Sequence, residues 1–600
     1  MYFDKHNSMN RTLYITILLI LSVSRGFSQN TLELNHANTS GTFHALSSIT
    51  LSQGFSTAVG QDFHAFINAD ASCMPLSANL SYNRNFITTL TPRVAIKEIS
   101  SLPGKNICEV SQTVEYIDGL GRPVQQVIVK GSPTAEHDLV QPIDYDEYGR
   151  ESRKYLPYTS VSNDGSYKAN ALQPQMGVYA FYTTPPDGVV QIPNPYSEMK
   201  YEASPLNRVT ESASPGLAWS LQNGHTVKTE VYINQENEVR LWKVTATGAD
   251  GTDYYAAGTL VKTITKDENW QAAEGKAGTI EEFKDGMGRV VQKRVWETAT
   301  KNLSTSYVYD KLGNLCYVLP PAVNENGLNM ATLTENDGNF NNFIYGYRYD
   351  GRKRVIEKKI PGKGWEYLVY NKLDQVVLTQ DANQRLTNKW LFSKYDDLGR
   401  LVMSGFFTDT VNTTRQSQQS LIDAETNDLD PSPLWEVRNE GSGTGYSDVA
   451  YPRGVTEYQL INYYDDYSFA GASALPASGI TESTLTKTLL TGTLVSKDDG
   501  TSPLLTVSYY DDKGRLIQTA SQNHLGGTDY VTNTYSFLGE LLTSKREHKT
   551  SAPGTTTILT SNAYDHAGRL LTVRHKVNTG DEVTLLKNEY NEIGQLKTKS

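Results

Sequence analysis

An all-β chain of repeated hairpins, added edge to edge into one spiralling sheet, is the fold class this sequence predicts. Three observations carry that expectation. A short phrase returns about eleven times: an aromatic, an acid, two free positions, a glycine, then usually arginine. Tyrosine, with 37 copies against 16 Phe and 7 Trp, suits half-buried strands, because its ring packs while its hydroxyl reaches water or a partner. Hardly any window shows the 3.6-residue apolar period of a long helix.

Composition narrows the function classes. With 38% hydrophobic and 20% charged residues over 600 positions, the chain is polar yet can bury a large surface. A net charge of −11 argues against nucleic acid or an anionic membrane as partner, since both demand basic patches. Cys73, Cys108 and Cys316 give neither a disulfide framework nor zinc-ligand spacing. The sequence leaves open whether Cys73 and Cys108 are joined.

Residues 1–28 read as a signal peptide. Arg11 precedes the apolar run Leu13 to Leu21, and Gly26 and Ser28 supply the small residues of a cleavage site. That run is about 11 residues, short of the roughly 20 that span a bilayer. No integral membrane span is expected, and the mature protein is expected to be exported, secreted or at the cell surface.

Residues 29–80 form a small β module. Thr42-Phe43-His44-Ala45 returns as Asp62-Phe63-His64-Ala65, and the alternation with Gly punctuation suggests short strands in a small β-solenoid. His44 and His64 lack a carboxylate or cysteine at ligand spacing, so packing is favoured over a metal. Residues 81–270 read as an irregular β domain. Gln112 to Arg122 and Pro123 to Lys130 are two strands around a turn, and Pro185-Pro186, Ser204-Pro205-Leu206-Asn207-Arg208 and Pro215-Gly216 mark loops or landmarks. Residues 271–600 carry most of the repeats, with an insertion around 405–500 whose polar part, Thr408 to Asp430, reads as a surface excursion or a disordered loop.

The leading aromatics are Tyr116, Tyr145, Phe283, Tyr309, Tyr349, Tyr370, Tyr395, Tyr510, Tyr535, Tyr564 and Tyr590, often about 21 to 29 residues apart. The clearest copies are Tyr145-Asp146-x-x-Gly149-Arg150, Tyr395-Asp396-x-x-Gly399-Arg400, Tyr510-Asp511-x-x-Gly514-Arg515 and Tyr564-Asp565-x-x-Gly568-Arg569. Each reads as a hairpin corner. The Asp side chain can accept from backbone amides two residues on, and Gly takes the left-handed conformation. Arg then lies near the leading Asp or Tyr across the turn, free to pair or stack. Asp374 in place of Gly, Lys353 where the Gly has moved, and Asn314, Glu540 and Gln595 in place of Arg fit a turn better than a catalytic group. Tyr116 and Phe283 are read as copies with one residue inserted after the aromatic.

The phrase and its spacing resemble the YD repeats of RHS (rearrangement hotspot) proteins, including teneurin-like ones. The stretch from about 90 to 270, with Asp118-Gly119-Leu120-Gly121-Arg122-Pro123, resembles an uncharacterised domain that precedes such repeats in exported bacterial proteins. The resemblance implies a hollow β-shell around a C-terminal polypeptide, often a toxin, freed by aspartyl self-cleavage in an RHS core. That core and a toxin-like tail are not found before Ser600, six residues past Gly594, so the array reads as truncated and the implied RHS-type shell as a partial one. The isolated chain is accordingly expected to expose a sheet edge and associate. Asp430-Pro431 lacks the core's pattern.

No Gly-x-Ser-x-Gly, His-Glu-x-x-His or phosphate-binding loop occurs. The leading expectation is therefore an exported scaffold, not an enzyme, with no cofactor, no metal and no catalytic residue. Its expected partner is the C-terminal cargo or downstream core of the same polypeptide. A surface adhesion or carbohydrate-binding protein is the alternative, with surface glycans as partners. An exported hydrolase with an unrecognised site is the second alternative.

Overall fold

The computed structural model describes residues 73–325, 331–425 and 434–600 apart from 78 and 79. It also describes residues 52, 55 and 56 and the backbone of four short strands between 31 and 67. The signal-peptide stretch and Asp430-Pro431 lie outside the described residues. The four short strands pair in parallel, Thr31–Leu34 with Ser48–Leu51 and Gly41–Ala45 with Phe63–Ile67. Parallel neighbours need a crossover between them, as in a coil.

A five-stranded antiparallel sheet follows, in the order Tyr158–Thr159, Leu139–Pro142, Pro123–Ile128, Val110–Ile117 and Asn85–Pro92. Val110–Ile117 alternates buried with half-buried residues at every step, as expected of a strand with one covered face. Val114, Tyr116 and Val127 share a core with Val178 and Tyr182 of the short helix Gly177–Thr183. A Cys73–Cys108 disulfide ties the incoming chain to the start of this sheet. Closing a 35-residue separation stabilises by about 4 kcal/mol on chain-entropy grounds.

From Arg153–Tyr155 onward one long sheet runs to Leu596–Lys599. Its first strands are Arg153–Tyr155, Tyr196–Tyr201, Val209–Ala213, Val227–Ile233 and Val261–Lys266. Each later hairpin then adds antiparallel to the one before, so order in the sheet follows order in the chain. No registered pair joins Leu596–Lys599 to Arg153–Tyr155 among the described residues, and the sheet is not closed into a barrel.

The middle of this wall is packed on one face. Trp390, Phe392 and Lys394 alternate along Lys389–Tyr395 as its buried positions. Trp390 and Phe392 share a core with Ile422, Tyr446, Val455, Phe469 and Leu475, all from excursions between wall strands. The stretch read as one insertion around 405–500 is therefore two excursions, 409–456 and 465–489. The wall strands Glu457–Tyr464 and Leu490–Val495 continue through it. Part of the polar segment is neither loop nor disordered: Arg415–Glu425 is a helix. Gln419 of that helix bonds both the N–H and the C=O of Tyr370, covering a wall strand's backbone.

Two buried lysines fix these attachments. The Lys394 ammonium sits 2.8 Å from Glu436 Oε1 and 2.6 Å from Asp448 Oδ1, with Lys394 and Glu436 side chains fully buried. Glu436 also accepts from the amides of Val449 and Ala450, so its lone pairs are used. Lys359 donates to the carbonyls of Phe340, Asn341 and Ile344 at the end of helix Gly338–Phe343, where orphan carbonyls favour a cation.

Beyond the last excursion the wall is bare. From Leu541 onward no strand residue is buried, on either face, through Leu541–Lys549, Thr555–Tyr564, Leu570–Val577, Val583–Tyr590 and Leu596–Lys599.

Candidate functional site

The repeated corner is the best-defined polar constellation in the molecule. At Asp396 the backbone N–H donates to Arg400 O at 3.0 Å, and Gly399 N–H donates to Asp396 O at 3.0 Å. Asp396 Oδ1 accepts from the amides of Leu398 and Arg400, and Oδ2 accepts from Arg400 Nε at 2.6 Å. Gly399 has φ +77, which an L side chain rarely adopts. The same bonds recur at Asp146–Arg150, Asp511–Arg515 and Asp565–Arg569. All four carboxylates are thus fully engaged.

Electrostatics agree with this geometry. Burial pushes the carboxyls of Asp146, Asp285, Asp310, Asp350 and Asp511 upward. Hydrogen bonds from the residue four positions on outweigh it, and each ends below the ordinary aspartate range.

The tyrosines link one corner to the previous one. Each hydroxyl donates to the carbonyl of the first strand residue after the preceding corner, at 2.7 to 3.1 Å. Tyr145 reaches Pro123, Tyr395 reaches Val376, Tyr510 reaches Leu490 and Tyr564 reaches Leu541. Tyr309, Tyr349, Tyr370, Tyr535 and Tyr590 do likewise. Arginine works in the other direction. It pairs with its own Asp, as expected, but the ring it covers is that of the next copy. Arg122 lies 4.2 Å from the Tyr145 centroid, and Arg400, Arg515 and Arg569 cover Tyr464, Tyr535 and Tyr590. These are cation–π contacts between neighbouring repeats.

Several readings of the copies change. Tyr116 and Phe283 are not leading aromatics with an inserted residue. The five-residue corners Asp118–Arg122 and Asp285–Arg289 have the usual length, and Ile117 and Lys284 occupy the tyrosine's register. Tyr116 and Phe283 belong one residue earlier and are completely buried. Lys353 and Asp374 do stand in glycine's place, at φ +63 and +62.

Expanded copies escaped sequence reading. Tyr464 donates to Leu401 O, and Asp465 N–H donates to Leu489 O across an excursion of more than twenty residues. Arg400 Nη2 reaches Asp465 at 2.7 Å. Tyr201-Glu202 with Asn207-Arg208 is another: Glu202 N–H donates to Arg208 O, Arg208 forks onto Glu202, and Asn207 holds φ +50. The Tyr-acid pair ending an alternating strand was the usable signal. The lack of Gly-Arg at the usual spacing hid it.

The last corners meet the N-terminal sheet along a seam. Arg93 Nη2 pairs with Glu540 Oε1 at 2.9 Å, with side chains only 12% and 21% exposed. His566 Nε2 lies 3.1 Å from Lys130 O, and Asn591 Nδ2 donates to Gly188 O at 2.9 Å. His137 approaches Glu592 at 3.3 Å, and Lys597 pairs with Asp187. Each contact joins a corner or terminal strand to a loop of the N-terminal module. Side chains and loop carbonyls make this junction, not a strand ladder.

No group of three His, Cys, Asp or Glu residues that could hold a metal occurs among the described residues. Cys316 is buried, and burial pushes its thiol up to about 11, far from the thiolate a nucleophile needs. No described helix is long and apolar enough to cross a membrane.

Comparison with known proteins adds two likenesses. Residues 88–233 match a family described as a domain of unknown function, DUF6443. No curated protein matches. Among solved structures, the crystal structure of TcdB2-TccC3-TEV is similar at 16% identity and a TM-score of 0.37, covering 81% of this chain and 22% of that one. The Photorhabdus luminescens Tc holotoxin pore with TccC3 mutation D651A is similar at 15% identity and a TM-score of 0.33, covering 85% of this chain and 22% of that one. The chain thus spans about a fifth of the length of the solved structures it resembles.

Proposed function

We propose that the chain is a wall-forming scaffold of the RHS type, exported to enclose and deliver a polypeptide. One observation carries this reading. From Leu541 onward neither strand face is buried, yet the seam brings this single-layered wall back to the N-terminal sheet. A sheet that is wetted on both faces and returns to its own beginning bounds a space instead of filling one. The corners supply rigidity without a second layer, because each ties its hairpin to both neighbours.

The proposed cargo is a C-terminal segment of the same polypeptide, and the wall itself carries out no catalysis. Glycan binding by the corner tyrosines has nothing in its favour, since their hydroxyls are bonded and arginines cover several of the rings. Cryo-electron microscopy of the secreted protein, with protease protection in parallel, tests the proposal. A hollow wall holding a protease-resistant peptide is expected. A solid interior packed by wall side chains would overturn it.

A further inference from the structure

The strand Val227–Ile233 has one complete edge and one incomplete edge. Along Val261–Lys266 it pairs at all six positions from Lys228 to Ile233. On its other side the register with Val209–Ala213 consists of Val227 with Ser212 and Lys228 with Glu211 only. The expanded corner Tyr201–Val209 is the cause. The neighbouring strand begins at Val209 while Val227–Ile233 continues, so Thr229 to Ile233 have no registered partner on that side.

The direction of the overhanging backbone follows from alternation. Asn234 N–H donates to Leu260 O, toward the Val261–Lys266 side. Successive residues of a strand face opposite edges, so Val231 and Ile233 point their N–H and C=O groups outward. No described strand pairs with them there. Their side chains are unusually open for β-branched residues: Val231 is 39% exposed and Ile233 57%, beside Tyr232 at 52%. A bare apolar strand edge is the feature proteins generally charge, cover or pair.

Beside this edge lies a groove of about 350 Å³, lined by Lys200, Glu202, Arg208, Glu211, Lys228 and Glu230 with their neighbours. The carboxylates already have partners. Glu202 is held by Arg208, Glu211 accepts from Thr226 Oγ1, and Glu230 pairs with Lys266. Lys200 and Lys228 have no ion pair among the described residues. They flank Glu211 directly in register, which places both amines on one face. With the Glu211 carboxylate between them, the two lysines leave the groove one positive charge in excess, next to unused backbone valence.

We infer that this edge is a strand-addition site for an extended peptide with β-branched residues at alternate positions and carboxylates between them. Its backbone pairs with Val231 and Ile233, and its carboxylates meet Lys228 and Lys200. This is recognition by sheet extension: main-chain hydrogen bonds give affinity and alternate side chains give specificity.

The probe is an eight-residue peptide alternating valine and aspartate, titrated onto the whole protein and followed by anisotropy and amide hydrogen exchange. Binding with slowed exchange at Val231 and Ile233 is expected. The surface double variant K200E/K228E should weaken it at least about tenfold, one charge-assisted contact's worth. Val231→Pro removes an outward N–H that the Val261–Lys266 ladder does not use, and should abolish binding with the far-ultraviolet spectrum unchanged. Absence of protection at saturating peptide overturns the assignment. Equal binding of a valine–lysine peptide overturns the charge argument. Protection that grows with protein concentration and without peptide gives the edge to a second copy instead.

Discussion

The middle of the wall and its last five strands use the same corner and the same ladder, yet differ in what lies over the strands. Around Lys389–Tyr395 every second side chain is buried, because the 409–456 and 465–489 excursions fold back onto that face. From Leu541 to Lys599 no strand residue is buried on either face. Strand register survives in both. Corner chemistry therefore suffices to define the sheet, and the core is added where the chain supplies a cover.

The largest test of that contrast is Trp390→Ala, at a completely buried position. It should cost about 3–5 kcal/mol of cavity and lost transfer energy, read as a lower urea midpoint. Lys394→Met strands Glu436 without its cation and should cost a similar 3–5 kcal/mol, with new protease cleavage in 434–456. Corner glycines should be indifferent to cover. Gly399→Ala in the packed region and Gly539→Ala at the corner that opens the bare one both force a side chain onto positive φ, +77 and +96. Each should cost roughly 1–2 kcal/mol, and hydrogen exchange of the flanking strands should reveal clearly unequal costs if the corner is not the common element.

Acid provides a smaller, graded probe. The carboxyls of Asp350 and Asp511 are depressed in the folded chain against an ordinary value of 3.8, with burial opposed by bonds from Arg354 and Arg515. A depressed folded pKa gives stability that is complete above the unfolded value and lost as pH falls through the folded one. Corner stability should thus be flat above about pH 5 and decline below pH 3.8, and Asp511→Asn should flatten that decline in an acid titration of the midpoint. The smallest effect belongs to Leu585→Ala, 59% exposed on the bare wall, which should shift the midpoint by less than about 0.5 kcal/mol.

Much of the fold was legible because corner chemistry is local. Asp, Gly and Arg within five residues specify their own hydrogen bonds, and substitutes such as Asp374 and Lys353 remain readable as positive-φ positions. What lies between distant residues was not. The Tyr464 copy hides because its turn is opened by an excursion, and nothing local links Asp465 to Leu489. Helix Arg415–Glu425 has too little apolar content to announce itself, since its docking relies on Gln419 and Ile422. The seam was invisible for the same reason: Arg93 and Glu540 are 447 positions apart, and only the accumulated path of the wall brings them together.

The hydroxyls of the corner tyrosines give the wall a direction in time. Each finds its acceptor earlier in the chain, 15 residues back for Tyr370 and 63 back for Tyr464. A polypeptide that emerges amino-terminus first therefore meets a finished docking point at every step and waits for nothing still unmade. Only the seam must wait for the last corners. That order suits growth from the amino terminus, like a zip drawn from one end, with the seam as its clasp.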